Sequence, residues 1–190
     1  MTASDFFARY RVRLGYLLAI LMLSLARPTS QSILFGAAIG FVGLCIRAYA
    51  AGYLHKQEIL TVTGPYARTR NPLYFGSSIL ALGAAAAMHS LWTAGLLLLY
   101  FILVYTFVMH REEMELRQKH GMAFDTYAAV VPLFFPRLTA STTAGGVMGN
   151  FSWQQYKKNQ EYRAAIGFLL FLLLLCGMAL FRWMYPSIVS

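Results

Sequence analysis

The stretch SSILALGAAAAMHSLWTAGLLLLYFILVYTFVM, residues 77–109, contains no Lys, Arg, Asp or Glu at any of its 33 positions. A helix of about 20 apolar residues crosses the hydrocarbon core of a bilayer, and fewer suffice where protein shields the helix. His89-Ser90 lies near the middle of the stretch and supplies a short turn. We therefore predict a helical hairpin in the membrane, which returns the chain after Met109 to the side that it left at Ser77.

The overall composition is that of a membrane protein. Of the 190 residues, 58% are hydrophobic and 12% are charged, far from the balance of a soluble globular domain. We predict an all-α integral membrane protein with about five transmembrane helices. It forms a single domain, residues 1–190. The C-terminal part of this domain, residues 151–182, is expected to contain an interfacial helix and a transmembrane helix. The expected spans are residues 12–26, 31–54, 73–88, 91–109 and 164–182. Four spans is the main alternative, because the first and third are short.

The distribution of basic residues predicts the topology. With five spans, three segments share one side of the membrane and hold 13 of the 16 Lys and Arg residues. These residues are Arg9, Arg11, Arg13, Lys56, Arg68, Arg70, Arg111, Arg117, Lys119, Arg137, Lys157, Lys158 and Arg163. Because Lys and Arg concentrate in cytoplasmic loops, we expect a cytoplasmic N-terminus. The expected location is the inner membrane of a bacterium or, in a eukaryote, the endoplasmic reticulum.

The same charges bear on the partners of the protein. A net charge of +9, spread over membrane-flanking segments, attracts anionic lipid headgroups and gives little support to nucleic-acid binding. Cys45 and Cys176 both fall within predicted spans, which argues against a disulfide framework. No cluster of His, Cys and Asp has the spacing of metal ligands, so no metal site is predicted.

A polar block precedes the hairpin. This block, Gly64-Pro-Tyr-Ala-Arg-Thr-Arg-Asn-Pro-Leu-Tyr-Phe-Gly76, contains a Gly-Pro turn and a helix start at Asn71-Pro72. Arg70 can offer a planar cationic fork to a carboxylate or phosphate, and free N–H groups at a helix start favour an anion there too. Tyr74 falls in the first turn, so its hydroxyl can point back to the same place. The alternative is an anchor for lipid headgroups.

A second polar block, His110-Arg-Glu-Glu113, follows the hairpin. Adjacent helical residues point about 100° apart, so Glu112 and Glu113 cannot face one ligand in the same way. One can bind an ammonium group while the other pairs with Arg111, Arg117 or a basic residue of the first block. The alternative is a solvated helix end, since Glu113 and Arg117 have i,i+4 spacing.

The second span carries two further features. Gly36-Ala-Ala-Ile-Gly40 forms a small-xxx-small pattern, which predicts close packing against another helix in lipid. Arg47 follows on the same helix, where a charged side chain at membrane depth is costly unless it faces protein, water or a headgroup. Arg47 is therefore either a snorkelling residue or a functional one.

The first polar block resembles the G-x-Y-x-x-x-R-H-P-x-Y-x-G motif of the isoprenylcysteine carboxyl methyltransferase family, to which phospholipid methyltransferases are related. The second block is similar to that family's E-E…F-G-x-x-Y-x-x-Y…V-P pattern. The matching positions are Glu112, Glu113, Gly121, Phe124, Tyr127, Val131, Pro132 and Pro136, with His120 in place of the usual Phe before the glycine. The resemblance covers about residues 43–137.

This resemblance implies a membrane methyltransferase that uses S-adenosylmethionine at the cytosolic end of its helices and takes a lipophilic acceptor from the bilayer. By position, the cofactor-binding residues would be Gly64, Pro65, Tyr66, Arg70, Asn71, Tyr74, Glu112 and Glu113. Arg70, Glu58 and Arg47 are the candidate catalytic residues. A carboxylate such as Glu113 can hold the methionyl ammonium, while Arg70 or nearby N–H groups hold its carboxylate.

Two positions depart from the family pattern. Asn71 replaces the His before Pro, and Glu58 stands where another His commonly precedes the Gly-x-Tyr turn. Asn cannot accept a proton near neutral pH. This favours O-methylation of a carboxylate, which needs no base. An amine acceptor must first lose a proton, and Glu58 is the candidate base for that reaction. Three alternatives remain open: a phospholipid or amine N-methyltransferase, an NADPH-dependent reductase of the sterol-reductase type, and a non-catalytic membrane scaffold.

Overall fold

The computed structural model describes residues 15, 17–55, 59–141 and 149–185, in which the regular elements are helices. Their bounds are α1 (residues 17–25), α2 (Ser30–Tyr53), α3 (Pro72–Met88), α4 (Leu91–Tyr100), α5 (Thr106–His120), α6 (Met122–Val130), α7 (Trp153–Lys158) and α8 (Tyr162–Met184). A 3₁₀ turn, Gly64–Ala67, precedes α3, and a π-helical segment, Phe101–Tyr105, joins α4 to α5. The predicted all-helical architecture is confirmed for these residues.

Three of these helices are long and apolar enough to cross a membrane: Ser30–Tyr53, Leu91–His120 and Tyr162–Met184. The middle one combines α4, the π-helical segment and α5 in 30 residues. The shorter apolar helix α3 runs beside α2. The first predicted span, residues 12–26, is described only in part, and the count of five remains a prediction.

Helices α2 and α3 pack with their backbones in contact. A Cβ atom added at Gly36 would stand 2.4 Å from the carbonyl oxygen of Gly83, and one at Gly43 would stand 2.5 Å from the amide nitrogen of Leu80. Position 36 thus meets 83 while position 43 meets 80, so the two helices are antiparallel. The packing role predicted for Gly36 is confirmed, because only a residue without a side chain permits this approach.

Helix α8 completes the bundle and runs antiparallel to α2 and parallel to α3. Near its start Phe168 fills the space over Gly40, where an added Cβ would stand 2.1 Å from the ring. Further along, Leu175 is fully buried with Ala26 and Met88. The short helix α7 packs across the end of α2.

The expected interfacial helix of the C-terminal region divides into α7 and a turn before α8. Gln155 and Asn159 donate hydrogen bonds to the carbonyl oxygen of Leu54, at 2.6 and 2.8 Å. Both side chains therefore satisfy carbonyls that a helix end leaves without partners. Gln160 has φ of 55° at the break, a conformation that interrupts a helix.

The contact between α2 and α3 makes a testable prediction. Gly83→Ala should lower the free energy of unfolding by about 1–3 kcal/mol, because the new methyl group would stand 2.5 Å from the amide nitrogen of Gly40. Gly95→Ala on α4 is the matched control, since nothing lies within 4 Å of a Cβ at that position. Denaturant titration in detergent measures both variants. Equal stability of the two would contradict the contact.

Candidate active site

The start of α3 is held by the segment that follows α6. The backbone N–H of Arg70 donates to the carbonyl of Pro132 at 2.9 Å, and the Asn71 amide donates to the carbonyl of Leu133 at 3.0 Å. The Thr69 hydroxyl donates to the carbonyl of Phe134 at 2.8 Å. Asn71 and Pro72 occupy the predicted first positions of the helix, although the Asn71 side chain makes no capping hydrogen bond.

Arg70 and Glu113 meet across the two polar blocks. Nη1 of Arg70 lies 3.0 Å from Oε1 of Glu113, and the side chains are only 16% and 18% exposed. The contact is an ion pair by distance but lacks the geometry of a hydrogen bond. Nε of Arg70 and Oε1 of Glu113 are also buried with no hydrogen-bond partner among the described residues. Such atoms are costly to bury without a partner.

Glu112, the other glutamate of the second polar block, contacts a different residue. The Tyr74 hydroxyl donates to Oε1 of Glu112 at 2.7 Å. The Tyr74 ring also stacks edge to face on Tyr105, with centroids 5.1 Å apart. Arg70, just before α3, and Tyr74, in its first turn, therefore contact the two carboxylates of α5. We call the end of the bundle that holds these four side chains the polar end.

The π-helical segment Phe101–Tyr105 sets the rotation of α5. Thr93 is fully buried and Met109 is 6% exposed, although they lie sixteen residues apart, or about four and a half turns of α-helix. A continuous α-helix would put them on nearly opposite faces. A π-helical turn holds one extra residue and so shifts the phase of α5, on which Glu112 and Glu113 contact Tyr74 and Arg70.

A buried tyrosine connects α6 to the turn before α3. The Tyr127 hydroxyl donates to the carbonyl oxygen of Tyr66 at 2.8 Å. Burial raises the pKa of Tyr127 above its ordinary value. The charge of Arg70 lowers this pKa in part, and the charge of Glu113 raises it further. Burial likewise raises the pKa of Tyr66 well above its ordinary value. Both phenols therefore stay protonated at physiological pH, and Tyr127 remains a donor.

Arg47 lies behind α3, in an ion pair of its own. Its Nε donates to Oε1 of Glu161 at 2.5 Å, and its Nη1 donates to the Ser77 hydroxyl and, at 3.4 Å, to the carbonyl of Leu73. The Arg47 and Glu161 side chains are 21% and 11% exposed. This guanidinium connects α2, α3 and α8, which explains how a charge is accommodated at this depth.

The remaining predicted site residues lie around this centre. Gly64 has φ of 60° and packs against the Tyr53 ring, where a Cβ would stand 2.6 Å away. Pro65 and Tyr66 are buried in the 3₁₀ turn, so they shape the site through the backbone. Glu58 lies outside the described residues.

Of the eight predicted cofactor-binding residues, the structure brings Arg70, Tyr74, Glu112 and Glu113 into direct pairs. Sequence reasoning did not foresee Glu161 as the partner of Arg47, or Asp125 as the partner of Arg117 at 2.7 Å. The π-helical segment Phe101–Tyr105 was not predicted either.

An open cavity of about 340 Å³ lies beside Arg70. Its other lining residues are Ala128, Ala129, Val130, Val131, Pro132 and Arg137. A larger surface cavity lies on α8, outside this site. Within the described ranges no group of three or more His, Cys, Asp and Glu side chains could hold a metal ion.

The sequence matches one family of known proteins. A family model described as phospholipid methyltransferase matches residues 21–123, which is more than half of the chain and includes both polar blocks. No solved structure matches the chain significantly.

Two curated proteins are similar to the chain over 108 residues. The nickel-cobalt-cadmium resistance protein NccN of Alcaligenes xylosoxydans xylosoxydans is 35% identical, over 56% of this chain and 49% of its own length. The cobalt-zinc-cadmium resistance protein CzcN of Cupriavidus metallidurans is 34% identical, over 56% and 48%. The aligned region thus spans about half the length of these relatives.

The buried pair behind α3 yields a prediction about stability. Arg47→Gln should lower the free energy of unfolding by about 3–5 kcal/mol, because it leaves the Glu161 carboxylate buried and unpaired. The double variant with Glu161→Gln should recover much of that loss. Denaturant titration of the single and double variants in detergent measures the coupling. Strictly additive losses would show that the two side chains do not interact.

Proposed function

The chain belongs to the phospholipid methyltransferase family, and we propose that it transfers a methyl group from S-adenosylmethionine to a lipophilic acceptor at the polar end. The observation that carries this proposal is the pair of orphaned atoms, Nε of Arg70 and Oε1 of Glu113. They belong to opposite charges held 3.0 Å apart. A ligand with both an ammonium and a carboxylate group complements them.

The amino-acid end of S-adenosylmethionine has that character. Glu113 can accept hydrogen bonds from an ammonium group, and Arg70 can donate two parallel hydrogen bonds to a carboxylate. The backbone of Arg70 is fixed by its hydrogen bond to Pro132, and its guanidinium is held by the contact with Glu113. The cavity beside Arg70 offers space for more of the molecule.

The chemistry of the donor is simple. S-adenosylmethionine supplies a methyl group on a sulfonium: an acceptor lone pair forms the new bond to carbon as the S–CH₃ bond breaks and its electrons remain on sulfur. The protein's contribution is to position the reactants and exclude water. Tyr74 is held beside Glu112 by its hydrogen bond to that carboxylate and by its contact with the Tyr105 ring.

The polar end favours an acceptor that needs no base. Asn71 cannot take a proton, and its amide is engaged with Leu133. Glu113 faces Arg70 and Glu112 faces Tyr74, so both carboxylates are already engaged by side chains of the site. We therefore propose O-methylation of a lipophilic carboxylate, as in isoprenylcysteine carboxyl methyltransferases.

An amine acceptor is the second candidate, and the description of the family as phospholipid methyltransferases favours it. That reaction releases a proton, for which Glu58 is the candidate base. The family match gives no support to an NADPH-dependent reductase. The names of the two curated relatives refer to metal resistance, and the proposal does not depend on them.

The orientation follows from charge. The polar end carries most of the basic residues of the described chain, and the opposite end carries Arg27 and Arg182. We therefore propose that the polar end faces the cytoplasm, where a soluble methyl donor is available to Arg70 and Glu113.

Two substitutions test the donor site. Arg70→Ala and Glu113→Gln should each weaken binding of S-adenosylhomocysteine roughly ten- to hundredfold, since each removes a charged hydrogen-bond partner. Isothermal titration calorimetry in detergent measures the affinity. Glu115→Gln is the matched control: it removes the same charge from the same helix, at a side chain that is 60% exposed and paired with Arg111.

Thermal unfolding of each variant separates a lost site from a lost fold. Unchanged affinity in folded Arg70→Ala and Glu113→Gln would refute the site. A wild-type protein that binds NADPH and not S-adenosylhomocysteine would instead be a reductase, and one that binds neither would be a scaffold.

The acceptor class can be read from the product. The protein is incubated with methyl-labelled S-adenosylmethionine and a lipid extract of the native source. Mild alkali should then release the label of the product lipid as methanol, because alkali hydrolyses a methyl ester and does not remove an N-methyl group. Label that survives this treatment would identify the amine as the acceptor and overturn the O-methylation proposal while leaving the donor site intact.

A further inference from the structure

Two arginines at the end of the bundle opposite the polar end have no carboxylate partner among the described residues. Arg27 follows α1, and Arg182 lies in the last turn of α8; neither takes part in an ion pair there. The backbone N–H of Arg27 donates to the carbonyl of Met88 at 2.8 Å, which fixes it beside the end of α3. Ala26, the residue before Arg27, is buried in one cluster with Leu175 of α8, so the two arginines lie at the same end of the bundle.

An apolar groove runs along α8 to this pair. It has a volume of about 450 Å³ and is lined by Leu173, Leu174, Gly177, Met178, Phe181 and Arg182. From Leu173 to Phe181 the groove extends about 12 Å along the helix, at 1.5 Å per residue. Gly177 forms a notch in its floor, since nothing lies within 4 Å of a Cβ at that position.

We propose that this surface binds one anionic phospholipid, with the lipid phosphate between Arg27 and Arg182 and an acyl chain along the groove over Gly177. The guanidinium fork matches a phosphate group. An anionic headgroup supplies the negative charge that these two arginines lack among the described residues, whereas a zwitterionic headgroup brings a positive charge of its own. This proposal does not depend on the methyltransferase activity.

Charge also argues against a second copy of the chain as the occupant. A symmetric pair of chains in contact through this face would bring Arg27 and Arg182 of one copy near the same residues of the other. Like charges at such an interface are unfavourable. The lipid supplies the missing negative charge without that penalty.

Native mass spectrometry of the purified full-length chain tests this assignment. After incubation in detergent with dioleoylphosphatidylglycerol or dioleoylphosphatidylcholine, the wild type should retain one phosphatidylglycerol more tightly than phosphatidylcholine. The double variant Arg27→Gln/Arg182→Gln should weaken that binding roughly ten- to thirtyfold, because each basic residue near a membrane surface adds to the attraction for anionic lipid. Lys157→Gln/Lys158→Gln removes the same charge from α7 and should leave the preference unchanged.

A second pair of variants tests the groove. Gly177→Leu should fill the notch and weaken phosphatidylglycerol binding, whereas Gly167→Leu, where a Cβ also has open space around it on α8, should not. Equal retention of both lipids by the wild type, or full retention by the arginine double variant, would overturn the proposal. The proposal would also be overturned if the wild type were a dimer that Gly177→Leu dissociates, because the groove of α8 would then join two chains.

Discussion

The backbone contact between α2 and α3 is the constraint on which the rest of the structure depends. Apolar burial gives little net gain between helices that are already in lipid, so close van der Waals contact must stabilise the pair. Gly36 and Gly43 on one helix, and Gly83 on the other, make that contact possible. It fixes the depth of α3 in the bundle, and therefore the height at which Arg70 and Tyr74 stand at the polar end.

Two ion pairs with different functions depend on this arrangement. An unpaired charge at such depth would be strongly unfavourable, so each arginine faces a glutamate. Arg47 also donates to Ser77 and to a backbone carbonyl, and it joins three helices. Arg70 keeps an Nε that has no partner in the described chain. The first pair is therefore part of the scaffold, and the second is the pair to which we assign the ligand.

Local rules predicted the helix start at Asn71-Pro72, the turn at His89 and the small-residue packing face. They also placed arginine and the two glutamates at one end of the bundle. They could not choose among partners, because Glu113 pairs with Arg70 rather than with Arg117 only after the π-helical segment has rotated α5. The pairing of Arg47 with Glu161 joins residues 114 positions apart, for which the sequence carries no local signal.

The most direct measurement is an experimental structure of the protein with S-adenosylhomocysteine. We expect the ligand's amino group to lie within hydrogen-bond distance of Glu113 and its carboxylate within that distance of Arg70. Nε of Arg70 should then gain a partner. A ligand bound elsewhere, with the contact between Arg70 and Glu113 unchanged, would contradict it.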